Sequence, residues 1–206
     1  MAADGAWPSI EKHGLLSTAS LVERWEVESD LVRSTILDRP REDSTVIESV
    51  ALGPATIRDQ KAIHEPSLAS SLIGMTVPEW LAMLNERVFF FVHATQLATL
   101  MRSRSYIKDA HTVLTIDTRR FVEAHENEIE ITQMNSGFSQ RHNAKRRGRA
   151  TFVPLREFTH ALRDISQRKT PWDISELCVR GAVQDIRDHV IRVERVRNGE
   201  VPTQIY

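Results

Sequence analysis

No apolar run in this chain exceeds the five residues of Val88–Val92. That limit constrains the fold more than any other feature. A membrane-spanning helix needs about 18 or more consecutive apolar residues, so none is expected. Short β-branched or aromatic runs alternate instead with short amphipathic segments. The core has to be assembled from many small elements. At 206 residues the chain is long enough to enclose one. Lys and Arg total 27 and Asp and Glu 28, so the net charge is −1. That balance excludes a globally basic nucleic-acid binder but leaves room for a local basic patch. Cys178 is the single cysteine, so neither an internal disulfide nor a thiolate metal cage can form. Met1–Pro8 carries Asp4 and no basic start, unlike a secretory signal. A cytoplasmic protein without a membrane anchor is the expectation.

The local signals are mostly caps and breaks. Pro8 suits the first turn of a helix from Trp7, and Gly14 suits the position that ends it. No strand is expected before Trp7. Ser17-Thr18 is an N-cap for a second helix through Leu21, Val22 and Trp25. Leu31–Leu37 continues as helix. Thr45–Val50 and Ala55–Ile57 read as hairpin strands around Gly53-Pro54. Ser67–Ile73 and Val77–Leu84 read as helices, the second opened by Thr76 and Pro78.

Farther along, strands are expected at Arg87–Val92, Thr112–Ile116, Glu128–Thr132, Asp173–Val179 and His189–Val196, with a short one at Phe152-Val153. Helices are expected at Thr95–Arg102, after Asp117-Thr118, and over Arg156–Asp164. Asn135–Ala150 reads as a loop, Val183–Ile186 as a helical turn, and Glu200–Tyr206 as a tail. The order points to one α+β domain over residues 1–196, followed by a tail over 197–206.

Phosphate-loop, dinucleotide-fold, serine-hydrolase and zinc-protease signatures are absent. The eight histidines are scattered with no helical pair among them, so no metal is expected. Cys178 lies between Leu177 and Val179 and reads as a small core residue. The run from Arg141 to Arg149 is the strongest charge feature, either a phosphate contact or a solvated loop. Arg58-Asp59-Gln60 follows a strand end, either a site or a surface turn with a local ion pair. Glu176 sits inside a strand pattern and shares a face with Ile174 and Cys178. It points to solvent from an edge strand, or it is buried with a partner or a task. Trp25, Trp80 or Trp172, if exposed, would mark a partner-binding surface instead.

Several segments together resemble one family. They are WPSIEKHGLLST at Trp7–Thr18, RVFFFVHATQLATLM at Arg87–Met101, HTVLTIDT at His111–Thr118, MNSGF at Met134–Phe138, RRGRATFVPL at Arg146–Leu155, and the stretch Ile174–Glu194. The family is one of uncharacterised bacterial proteins, a domain of unknown function, and the likeness runs from Trp7 to Glu194. In layout the chain is also similar to the DarT-type ADP-ribosyltransferases that modify DNA. IEKHGLL resembles their first helix, RVFFFV their aromatic strand, and ISELCVRGAVQDI their glutamate-bearing strand. This second likeness is an analogy of arrangement.

The layout implies an ADP-ribosyltransferase-like fold, a split antiparallel sheet with flanking helices. It implies NAD as substrate and a nucleic acid or protein as acceptor, with oligomeric state left open. Glu176 would be the catalytic carboxylate. Arg58, Arg147 and Arg149 would hold the pyrophosphate, Phe90 would wall the nicotinamide, and Gln60, Asn135 and Ser136 would complete the cofactor site. That pattern places a histidine on a strand just before the first helix, a position His13 does not match. Such a histidine would lie upstream of Met1 or be missing. The alternative is a non-catalytic module of the same fold that binds a nucleotide or nucleic acid through residues 135–149.

Overall fold

The computed structural model describes residues 1–140, 144–158 and 174–206. Strand β1 (Ala2–Ala3) leads into helix α1 (Trp7–His13), whose first turn holds Pro8 and whose end is closed by Gly14 at φ 83°. Strand β2 (Leu15–Leu16) follows, then α2 (Thr18–Arg24), capped by the Ser17 hydroxyl accepting from the Ser20 N–H. Helix α3 (Asp30–Leu37) precedes a hairpin of β3 (Thr45–Ser49) and β4 (Gly53–Ile57). Helices α4 (Glu65–Ser71) and α5 (Val77–Asn85) come next; α5 starts in a capping box between Thr76 and Glu79.

The second half supplies most of the sheet. Strand β5 (Arg87–Phe91), α6 (Ala94–Met101), β6 (Ala110–Ile116), α7 (Thr118–His125) and β7 (Ile129–Thr132) are followed by β8 (Val153–Pro154). Strands β9 (Glu176–Arg180) and β10 (Ala182–Val183), the short α8 (Ile186–His189), β11 (Val190–Arg197) and β12 (Thr203–Gln204) complete the described chain.

Two four-stranded sheets dominate, in orders β1-β6-β11-β12 and β5-β9-β7-β8. Two-stranded pairs β10-β2 and β3-β4 flank them, and every strand pair is antiparallel. The arrangement is a mixed α+β fold with antiparallel sheets. Both larger sheets feed one core, with Ile129, Ile131, Leu177 and Val179 from one and Val190 and Val193 from the other, closed by Trp7 and Phe121. A second cluster joins Val22, Trp25 and Ile36 to Ile47 and Ile57 of the hairpin. A third puts Leu68, Trp80 and Leu84 against Phe152 and Cys178. No helix among the described residues is long and apolar enough to cross a membrane.

Several expectations need correction. A strand does precede the first helix: Ala2 and Ala3 pair with Thr112 and His111 at the edge of β6. Two alanines carry no pattern, and the open edge recruits them. Gly53-Pro54 is not the hairpin turn but the start of β4, where Pro54 faces Glu48. An edge position in a two-stranded pair tolerates its missing N–H. Val183 belongs to a strand, paired with Leu15, and the helical turn begins at Ile186. The last residues include β12, which pairs with β11 through Glu194 and Arg195. Trp25 and Trp80 are buried core residues, so neither marks an exposed partner surface. Trp172 and most of the helix expected over Arg156–Asp164 lie outside the described residues, as do Arg141 to Asn143 of the basic run.

Candidate functional site

A cavity of about 800 Å³ is walled by both larger sheets, through Ala2 and Ala3, Phe89 to Phe91, Val113 to Ile116, and Leu177. Its walls are mainly apolar, with a few polar groups such as Thr56, Arg58 and Thr115. That combination of an apolar body and sparse polar anchors is the usual make-up of a small-molecule site. Phe90 and Arg58, both expected at a cofactor site, line this one space. The Phe90 ring packs 5.0 Å from that of Phe121, another lining residue.

Arg58 follows β4 directly, which carries it to the cavity wall. Its Nη1 donates to the Ala2 carbonyl at 3.2 Å and lies 3.5 Å from His111 Nδ1. Burial first and the Arg58 charge second lower the His111 pKa, which favours the neutral ring as acceptor. Asp59 is 3.8 Å from Arg58 Nε. It also accepts from the Tyr106 hydroxyl and, at 3.1 Å, from the Ser44 hydroxyl. Burial, followed by the Asp59 hydrogen bond, raises the Tyr106 pKa and keeps that phenol protonated. Asp59 is therefore shared among several donors, which leaves Arg58 a cation only partly matched at the cavity.

Glu176 occupies a different place. Strand β9 lies between β5 and β7, so the edge-strand orientation does not apply. Leu177 and Val179 join the core between the sheets, while Cys178 packs with Trp80 and Phe152 on the other face. Glu176 shares the face of Cys178, away from Leu177. It is buried, and one carboxylate oxygen accepts from the Ser136 N–H at 3.0 Å and the Ser136 hydroxyl at 2.7 Å. Burial raises its pKa; the two Ser136 bonds and the Arg147 charge oppose the rise without cancelling it. Burial likewise pushes the Cys178 thiol up to about 12, in keeping with an inert core residue.

Arg147 is drawn into the loop and not toward solvent. Its guanidinium donates to the carbonyls of Lys145, Ser136 and Phe138 at 3.1, 2.9 and 3.0 Å. It is 3% exposed and lies 5.8 Å from the Trp80 ring. The guanidinium to which the resemblance gives a pyrophosphate role thus donates to carbonyls of its own loop. Arg149 is exposed and reaches Glu79 at 3.4 Å. With Arg146, Arg147 and Thr132 it lines a second cavity of about 460 Å³. Asn135 accepts from the Phe138 N–H at 3.4 Å within the same loop. Gln60 lies elsewhere: its amide contacts the Arg41 N–H and Asn85 Oδ1, both at 3.4 Å.

The expected residues thus divide into groups. Arg58 and Phe90 share the larger cavity. Ser136, Arg147 and Glu176 form a buried clasp, with Asn135 exposed in the same loop; Arg147 and Arg149 line the outer cavity, and Gln60 lines neither. Sequence reading missed Thr56 and Thr115, which come from strands of different sheets to the same wall. No local signal distinguishes them from ordinary strand threonines. No curated protein and no solved structure matches the chain. The model of a family of unknown function, DUF7002, covers residues 1–190, from β1 to the start of β11, and so includes both cavity walls and the Glu176 strand; the chain belongs to that family.

Proposed function

We propose that this protein binds a small anionic ligand with a planar apolar body, of the nucleotide class, in the cavity between its sheets. The observation that carries this reading is the meeting of Arg58 and Phe90 on one space of about 800 Å³. A guanidinium holds a phosphate through charge-assisted hydrogen bonds. The aromatic wall offers a base or nicotinamide ring a stacking surface. NAD falls within this class. The test is calorimetric titration of the full chain with NAD, ADP-ribose and ATP. Saturable binding that survives Glu176→Gln and weakens in Arg58→Ala supports the reading. No binding across the panel removes it.

A second reading, transfer of ADP-ribose from NAD to a nucleic acid or protein, has its own observation in support. Strand β1 precedes α1, as in the transferase layout, although it carries no histidine, and Glu176 sits on the central strand β9, whose Leu177 lines the cavity from the opposite face. In this reading Glu176 stabilises the oxocarbenium-like charge as the nicotinamide bond breaks. Ser136 would first have to release the carboxylate. Nicotinamide release by the parent chain, lost in Glu176→Gln while NAD binding persists, supports transfer; binding without release supports the module alone.

A further inference from the structure

We propose that His125, Asp185 and His189 form a binding site for one divalent transition-metal ion of the zinc class. His125 ends α7, Asp185 stands just before α8, and His189 ends α8. His125 Nε2 lies 3.0 and 3.2 Å from the two Asp185 oxygens. His189 Nε2 lies 3.0 Å from Asp185 Oδ2. The three ligand atoms all fall within 4.8 Å of one another. A tetrahedral ion at about 2.1 Å from each needs ligand separations of roughly 3.4 Å. Small side-chain rotations reach that spacing.

A second observation comes from the far side of His125. Its Nδ1 lies 3.1 Å from Glu128 Oε2, so both ring nitrogens face carboxylates. A neutral imidazole has one N–H and cannot donate to both. An imidazolium would donate to both, and an ion on Nε2 satisfies both equally, with the proton on Nδ1 donated to Glu128. A carboxylate orienting the outer nitrogen is the usual companion of a metal-bound histidine. Two imidazoles and one carboxylate suit zinc, cobalt or nickel better than magnesium or calcium.

The surroundings favour a fixed, half-open site. The Phe121 ring packs 4.8 Å from the His125 ring and 5.3 Å from the His189 ring, and holds both. The Asp185 side chain is 39% exposed, which leaves an outer side for water. Phe121 also lines the larger cavity, so an ion here would brace one of its walls.

The test is zinc titration of the full metal-free chain by calorimetry, with cobalt absorption as a second probe. One equivalent is expected to bind saturably, with visible bands for cobalt. Asp185→Asn should lose the site. Glu128→Gln should weaken it about 10- to 100-fold, the usual cost of removing such an orienting carboxylate. The Glu128 side chain is 61% exposed, so this variant tests the site even where Asp185→Asn fails to fold. Absence of saturable zinc binding, or binding unchanged in Glu128→Gln, overturns the proposal.

Discussion

The N–H and the hydroxyl of Ser136 both donate to one oxygen of Glu176, at 3.0 and 2.7 Å, across 40 residues of sequence. Arg147 closes the same arrangement by donating to the Ser136 carbonyl at 2.9 Å. A carboxylate on a central strand thereby anchors a long loop. Removing the anchor leaves buried donors without a partner, and a buried unmade bond costs about 1–3 kcal/mol. Glu176→Ala is expected to lose stability in that range by denaturant unfolding. Ser136→Gly, which keeps the N–H donor, should lose less; equal losses would contradict the two-donor picture.

The same carboxylate sets a pH dependence. Its folded pKa is raised, chiefly by burial, so folding favours the protonated form. That contribution is full below the unfolded pKa, and it is lost as pH rises through the folded value. Glu176→Gln, which imitates the protonated group, should therefore gain on the parent over the window that opens above the ordinary glutamate value of about 4. Thermal melts across that window check it, and a gap that moves the other way rejects it.

Glu130 behaves oppositely. Burial alone would raise its pKa, but hydrogen bonds from Arg87 at 2.7 Å and Arg180 at 2.9 Å hold it below the ordinary carboxylate value. Its contribution is present above the unfolded pKa and disappears as pH falls through the lowered folded one. Glu130→Ala strands the buried Arg87 and is expected to cost about 3–5 kcal/mol at neutral pH. The cost should shrink in acid, as measured by unfolding at both ends of the range.

Gly14 is required by geometry. It sits at φ 83°, and an added Cβ would come 2.9 Å from the Gln184 Cα and from the Val183 carbonyl oxygen. Those neighbours are backbone and belong to the β10 side of the β2 pairing. Gly14→Ala should lower stability by about 1–3 kcal/mol, because strain and crowding act together. A melt indistinguishable from the parent would show that the turn can move.

At the larger cavity, Arg58→Lys keeps the charge but loses the planar fork. Nucleotide affinity is expected to fall about tenfold, in line with one charge-assisted hydrogen bond. Unchanged affinity would place the ligand elsewhere.

Elements with their own local chemistry were legible in the sequence. Ser17, Thr76 and Asp117 each cap the helix they open. The apolar and β-branched runs at Arg87–Phe91, Ala110–Ile116 and Ile129–Thr132 are strands. The two-residue strands β1, β2, β10 and β12 were not legible, since two residues hold no period and their existence depends on a distant partner. Asp185 and His189 stand four apart across a helical turn, a spacing visible in the chain. Their third companion, His125, lies 60 residues away from Asp185 and was not visible.

By itself, then, the sequence determined where helices start and stop and which residues alternate along a strand, because caps, glycine turns and side-chain periods act over a few neighbouring residues. Tertiary structure decided what those residues do. Pairing of β9 with both β5 and β7 decided between the two readings of Glu176, solvent-facing or buried, in favour of a buried anchor. Folding of the 135–147 loop bound the Arg147 guanidinium to carbonyls. Packing of the β3–β4 hairpin against the larger sheets brought Arg58 and Phe90 to one cavity. Burial and long-range hydrogen bonds set these outcomes, and neither is encoded in any local stretch of residues.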